Sequence, residues 1–149
     1  GQQHGVDHSA DFLHACLKLS DLPSHPVPAH DIDLYHTVAI VRVPDETSFA
    51  FGEQDAAIVF PRDLDSLNFR ELPIGTLLAE TNGVYGQPLD VRDEQDCEVA
   101  ERFFRREDGR LVTRIPVMPS MLTCDPMVIR QDCLCYIMER YDRHLRDAD

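Results

Sequence analysis

Tryptophan is absent from the 149 residues, and lysine occurs once, at Lys18. Arginine fills the other thirteen of the fourteen basic positions, against 27 aspartates and glutamates, so the formal charge is −13. That shortage of cations argues against nucleic acid, whose phosphates are held by Lys and Arg that displace counterions. It argues equally against an anionic membrane surface and favours solubility; either a basic partner or simply an acidic solvated surface would account for it. No run of 18 apolar residues exists, so no membrane-spanning helix is expected. No basic stretch leads into an apolar one at the start, so no export signal is expected and the cytoplasm is the expected compartment. The five cysteines, Cys16, Cys97, Cys124, Cys133 and Cys135, are odd in number and lack disulfide-framework spacing. They read as free, largely buried thiols in a reducing compartment. No G-x-S-x-G, phosphate-binding loop, G-x-G-x-x-G or H-E-x-x-H occurs, so no catalytic residue is assigned.

What is present suffices for one core. Apolar residues make up 43% of the chain, and 149 residues suit a single domain over 1–149, with residues 1–8 loosely ordered. The run "HSADFLHACLKLSDLP" predicts a first helix capped by Ser9, with Phe12, Leu13, Cys16 and Leu17 in one stripe. "PSHPVPAH" is an irregular connector. "TVAIVRV" (37–43), "TSFAFG" and "AAIVF" (56–60) predict three strands in a meander, joined by short polar turns. "SLNFRELPIGTLLAETNGVYG" carries helical spacing at Leu67, Leu72, Leu77 and Leu78, with Pro73 at a helix start and Asn82-Gly83 as its stop. "CEVAERFFRREDGRLVTRIPVM" predicts a long hairpin with Glu107-Asp108-Gly109 at its tip. Asp125 or Thr123 can cap a terminal helix running from Pro126 to about Leu145, striped by Met127, Leu134, Met138, Tyr141 and Leu145. The expected class is α+β, an antiparallel sheet in the order α-β-β-β-α-β-β-α with helices packed on it.

Six of the seven histidines lie in the first quarter of the chain. His4 and His8 stand four apart, which would place both on one helical face, but Gly5 and the terminal position argue against a helix there. His25 and His30 sit among prolines. No zinc or iron spacing emerges, so no metal or cofactor is assigned, and a solvated segment is the expectation. Cys133 and Cys135, two apart on a helix, would point about 200° apart and could not chelate together.

The segment "LLAETNGVYGQPLDV", the hairpin "FFRREDGRLVTRIPV" and the stretch "DPMVIRQDCLCYIMERYDRHL" together resemble the second half of the class I chaperones of bacterial type III secretion. That fold recurs in YbjN-like bacterial proteins. The resemblance implies a homodimeric binding protein, not an enzyme, that holds an extended segment of a partner polypeptide such as a secreted effector. Strand addition gives affinity in such a complex, and apolar pockets give selectivity. The groove residues would be Phe12, Leu13, Leu17, Val38, Ile40, Phe49 and Phe51, each of which could equally be ordinary core. Three rival readings are an acidic immunity or inhibitor protein binding a folded partner, a metal-dependent hydrolase using the histidines, and a domain of a larger protein.

Overall fold

The computed structural model describes residues 2–21, 32–83 and 86–141. The chain divides into two compact units, Gly1–Asp33 and Leu34–Asp149.

The first unit holds one helix, α1 (Gln2–Leu17). It reaches back over Gln2–His8, which the sequence left loose. Gly5 inside a helix costs only about 1 kcal/mol relative to Ala, and fifteen other positions carry the helix across it. Ser9 is therefore an interior residue and not the cap. Its hydroxyl donates to the Gly5 carbonyl at 2.9 Å, the back-bond that serines make inside helices. The last turn tightens through Lys18 N–H to Ala15 O (3.2 Å) and Leu19 N–H to Cys16 O (3.1 Å).

The second unit is built on strands. In order they are β1 (Tyr35–Arg42), β2 (Phe49–Phe51), β3 (Ile58–Phe60), β4 (Leu77–Thr81), β5 (Asp90–Asp93), β6 (Phe104–Glu107), β7 (Arg110–Thr113), β8 (Met118–Ser120) and β9 (Cys135–Arg140). A 3-10 turn (Leu64–Leu67) and two short helices, α2 (Ala100–Phe103) and α3 (Pro126–Gln131), lie between them. The class is α+β, but the strands form two sheets: β5-β1-β9-β8 and β2-β3-β4-β7-β6.

Several expectations change here. The three runs expected as strands are strands, yet they do not form a meander. β1 lies between β5 and β9 in the first sheet, while β2 and β3 belong to the second and run parallel. Only residues 52–57 join that parallel pair, where a crossover of a dozen residues is usual. The short link is pinned at both ends. Ser48 accepts Ala57 N–H on its hydroxyl (3.0 Å) and Ile58 N–H on its carbonyl (3.1 Å). Gly52 turns at φ +77°, where a Cβ would fall 2.7 Å from Arg62 Cγ.

Both long helices expected downstream are replaced. The middle one is the 3-10 turn followed by β4, and the terminal one stops at Gln131 and gives way to β9. The cause is pairing. β4 bonds to β3 and β7, and β9 bonds to β1 and β8, so each is flanked on both sides. A central strand satisfies every backbone group and buries its side chains, which outweighs weak local propensity. Cys133, Leu134, Cys135 and Ile137 are buried, whereas Met127, assigned to the same helical stripe, is 71% exposed. α3 keeps the predicted start: Asp125 Oδ1 accepts Met127 N–H at 2.9 Å, and Pro126 opens the first turn.

The hairpin tip is as read. Asp108 (φ 47°) and Gly109 (φ 78°) link β6 to β7, the left-handed pair that a two-residue turn requires. Its first arm is shorter than expected, because Ala100–Phe103 makes one helical turn whose first free N–H, at Ala100, is accepted by Glu98 Oε1 (2.8 Å).

The two sheets meet at a corner. β7 and β8 are successive parts of residues 110–120, and opposite them residues 69–81 run antiparallel. Leu77 faces Val112 in the second sheet and Leu72 faces Val117 beside the first, five residues on along both chains. Leu72 and Val117 exchange both backbone hydrogen bonds (2.7 and 3.1 Å). Between them the Pro73–Thr76 turn is held by fully buried Thr113, whose hydroxyl donates to Pro73 O (2.7 Å) and accepts Thr76 N–H (2.9 Å). Strands that pass from one sheet to the other at such corners enclose the core between the sheets. That core includes Val41, Ile58, Phe60, Leu64, Val91, Phe103, Leu111 and Leu134.

Candidate functional site

The structure divides the seven groove candidates among three places. Phe12, Leu13 and Leu17 lie on α1 and are 68, 60 and 82% exposed. With Val6 and Ala10, Leu13 and Leu17 fall at i, i+4, i+7 and i+11, a single line along the helix. Val38 and Ile40 lie on β1; Val38 is in the core and Ile40 is half-buried. Phe49 and Phe51 are half-buried at the edge of the second sheet, their rings 6.1 and 5.6 Å from that of Phe60. Arg130 of α3 covers Phe49. Its guanidinium sits 4.7 Å from the ring centroid and donates to Pro44 O (3.0 Å) and Thr47 O (2.6 Å). That clamp ties α3 to the β1–β2 loop and shields the aromatic edge.

The histidines scatter. His8 and His14 are exposed on α1, and His36 on β1 stands edge-on to Tyr141 at 6.1 Å. His25, His30 and His144, and the side chain of His4, lie outside the described residues. Among the described residues no group of three His, Cys, Asp or Glu is placed to hold a metal, and no helix is long and apolar enough to cross a membrane.

All five thiols are free. Burial pushes the Cys135 thiol far above the usual range, and neighbouring Cys133 pushes it further. Burial also raises Cys133 and Cys124. The Tyr136 hydroxyl is raised too, first by its hydrogen bond to Cys133. Cys133 and Cys135 are buried, Cys16 and Cys124 are half-buried and Cys97 is exposed; a buried thiol that holds its proton is a weaker nucleophile.

Sequence reasoning missed a different feature. Phe69 and Met121 are 62 and 65% exposed, and each has a left-handed backbone with φ 55°. A left-handed conformation costs a residue with a Cβ about 1–2 kcal/mol, and large apolar side chains are rarely found there. What holds them is Asn68. Its side-chain amide donates to Leu122 O (2.6 Å) and accepts Leu122 N–H (2.7 Å), reproducing a backbone pair across the two segments. Phe69 N–H adds a bond to Pro119 O at 2.8 Å. The segment before Asn68 also packs here, with the Cys124 thiol 3.8 Å from Arg62 O and facing Asp65. Asn before an apolar residue is the one trace of this arrangement in the sequence, and it is too common a pattern to single out.

Comparison with protein-family models, with curated proteins and with solved structures finds no match for this chain.

Proposed function

We propose that the chain is a non-enzymatic binding protein whose ligand is a polypeptide, engaged through the apolar stripe of α1. The observation that carries this reading is the exposure of Val6, Phe12, Leu13 and Leu17, each 60% or more, along one helix. A helix of about this length is marginal in water alone and gains its stability by docking an apolar face. Anchors spaced i, i+4 and i+7 suit a helix laid into an apolar groove or against a second amphipathic helix. The charge of −13 favours a partner with basic residues beside its apolar anchors.

A second reading keeps the secretion-chaperone geometry, a homodimer holding an extended effector segment. The middle helix that carried that resemblance is a 3-10 turn and a strand here, and the terminal one gives way to a strand after Gln131, so its support is now the outer edge of β2. Ser48 O and Gly52 N–H point toward β3, at 3.1 and 2.8 Å from their partners. By alternation, the backbone groups of Phe49 and Phe51 face away and offer a short edge for strand addition.

The test is calorimetry at two salt concentrations against synthetic amphipathic segments of about 30–60 residues that carry Arg or Lys. Binding through α1 should give a negative heat-capacity change, because apolar area is buried. It should weaken as salt rises and disappear in the Leu13→Asp, Leu17→Asp double variant. Binding that survives this variant but is lost when a proline blocks β2 would favour strand addition. A chain that binds no polypeptide and consumes a small molecule would overturn both.

A further inference from the structure

The geometry points to a second docking surface on the unit Leu34–Asp149: Phe69 and Met121 form a rigid apolar knob that seats in a pocket of a basic, folded partner protein. This rests on the binding-protein reading but uses a site other than α1. Three observations converge on it. First, both side chains are mostly exposed, although large apolar residues belong in the interior. Second, each sits in the unfavourable left-handed conformation, fixed by the paired hydrogen bonds between Asn68 and Leu122. Conformational cost retained at exposed positions is characteristic of binding sites, where the surrounding structure holds a side chain in its bound pose. An anchor that is already fixed loses little entropy on association. Third, the two segments that carry these residues are acidic in sequence. Segments 62–71 and 121–125 carry Asp63, Asp65, Glu71 and Asp125 against Arg62 and Arg70.

These features select the occupant. Two protruding side chains need a concave receiver, which a folded surface supplies and a single extended strand does not. Aromatic and methionine anchors are enriched at the centres of such interfaces, inside a polar rim. The four carboxylates on those segments would be met by Lys and Arg on the partner, and the overall charge of −13 steers the encounter. The same charge opposes a second copy of this chain at the knob.

The experiment uses the whole chain as bait for a displayed library of one folded helical scaffold, randomised on a single face. Competition should show that independent selections converge on the knob, with Lys and Arg enriched around an apolar pocket. Phe69→Ala and Met121→Ala should each weaken those clones about tenfold or more. Asn68→Ala should weaken them with both anchors still present, through faster dissociation, because it loosens the clamp. Leu13→Asp in α1 should leave them unchanged, which separates failure of this site from failure of α1. Thermal melts of each variant show whether it remains folded, and these exposed side chains should be removable without unfolding. Clones spread evenly over the surface, or indifferent to Phe69→Ala, would overturn the proposal. So would sedimentation showing that the chain dimerises through the knob and that Phe69→Ala abolishes the dimer.

Discussion

The stretch that becomes α1 and the stretch that becomes α3 and β9 carry the same sequence signal, apolar residues at helical spacing, and they end in opposite states. In the first, Val6, Leu13 and Leu17 lie on a real helix and remain exposed. In the second, the helix stops after Gln131, and Leu134, Cys135 and Ile137 are buried as the chain enters a central strand. Apolar periodicity therefore reports that a stretch can bury one face, but not which neighbour it will meet. Residues 133–137 meet β1 on one side and β8 on the other. A helix there would leave β1 without its longest partner.

If this contrast is right, truncation should separate the two stretches. Leu134→Ala should cost about 2–5 kcal/mol in urea unfolding, because it empties a site with no solvent access. A near-neutral result would break the comparison by showing that residues 133–137 are detached in solution.

Alkaline titration sharpens the same point. Burial raises the Cys135 thiol, with Cys133 contributing. The folded chain therefore keeps a proton that the unfolded chain releases above the ordinary thiol value of about 8.5. The stabilisation is complete below that pH and is lost as pH rises above it, by at most about 1.4 kcal/mol per pH unit for one proton. Denaturant melts from pH 8 to 10 should show this fall, and Cys135→Ala should flatten it. Equal slopes in the two proteins would place the thiol in solvent.

At the helix start, Asp125→Ala removes the cap on Met127 N–H and should cost about 1 kcal/mol. It should not disturb β9, which is held by its neighbours, so near-ultraviolet dichroism from Tyr136 should be unchanged while stability falls.

The smallest effect belongs to α1. Leu13→Ala should change the stability of the unbound chain by no more than about 0.5 kcal/mol, since its side chain is 60% exposed. A cost close to that of Leu134→Ala would mean that the stripe is covered in solution, by a second copy or another surface, and sedimentation would identify a dimer.

Some of this chain was legible without coordinates. The β-branched runs before residue 60 form strands because Val, Ile and Phe suit a pleated, half-buried surface in whichever sheet they join. Asp108-Gly109 makes its turn because few pairs adopt two left-handed residues easily, and Asp125-Pro126 starts α3 for equally local reasons. The seven groove candidates were legible only as apolar. The pattern could not tell exposed Leu13 from core Val38, nor foresee that Arg130 would cover Phe49, because those distinctions depend on what packs against each residue.

By itself, then, the sequence determined the acidic surface, the α+β class, the early strands, the hairpin tip and the cap of α3, all set by composition or by contacts between near neighbours. Tertiary structure alone decided that 77–81 and 135–140 are strands, that β2 and β3 run parallel, that two sheets share a corner at Thr113, and that Phe69 and Met121 stand exposed. Apart from the β2–β3 pair, these rest on hydrogen bonds between distant residues: β9 with β1, Thr113 with Pro73, and Asn68 with Leu122 across 54 positions. Local propensities differ by only about 1 kcal/mol per residue. A strand bonded on both sides, or an amide making two hydrogen bonds, outweighs them once the chain has brought its partners together.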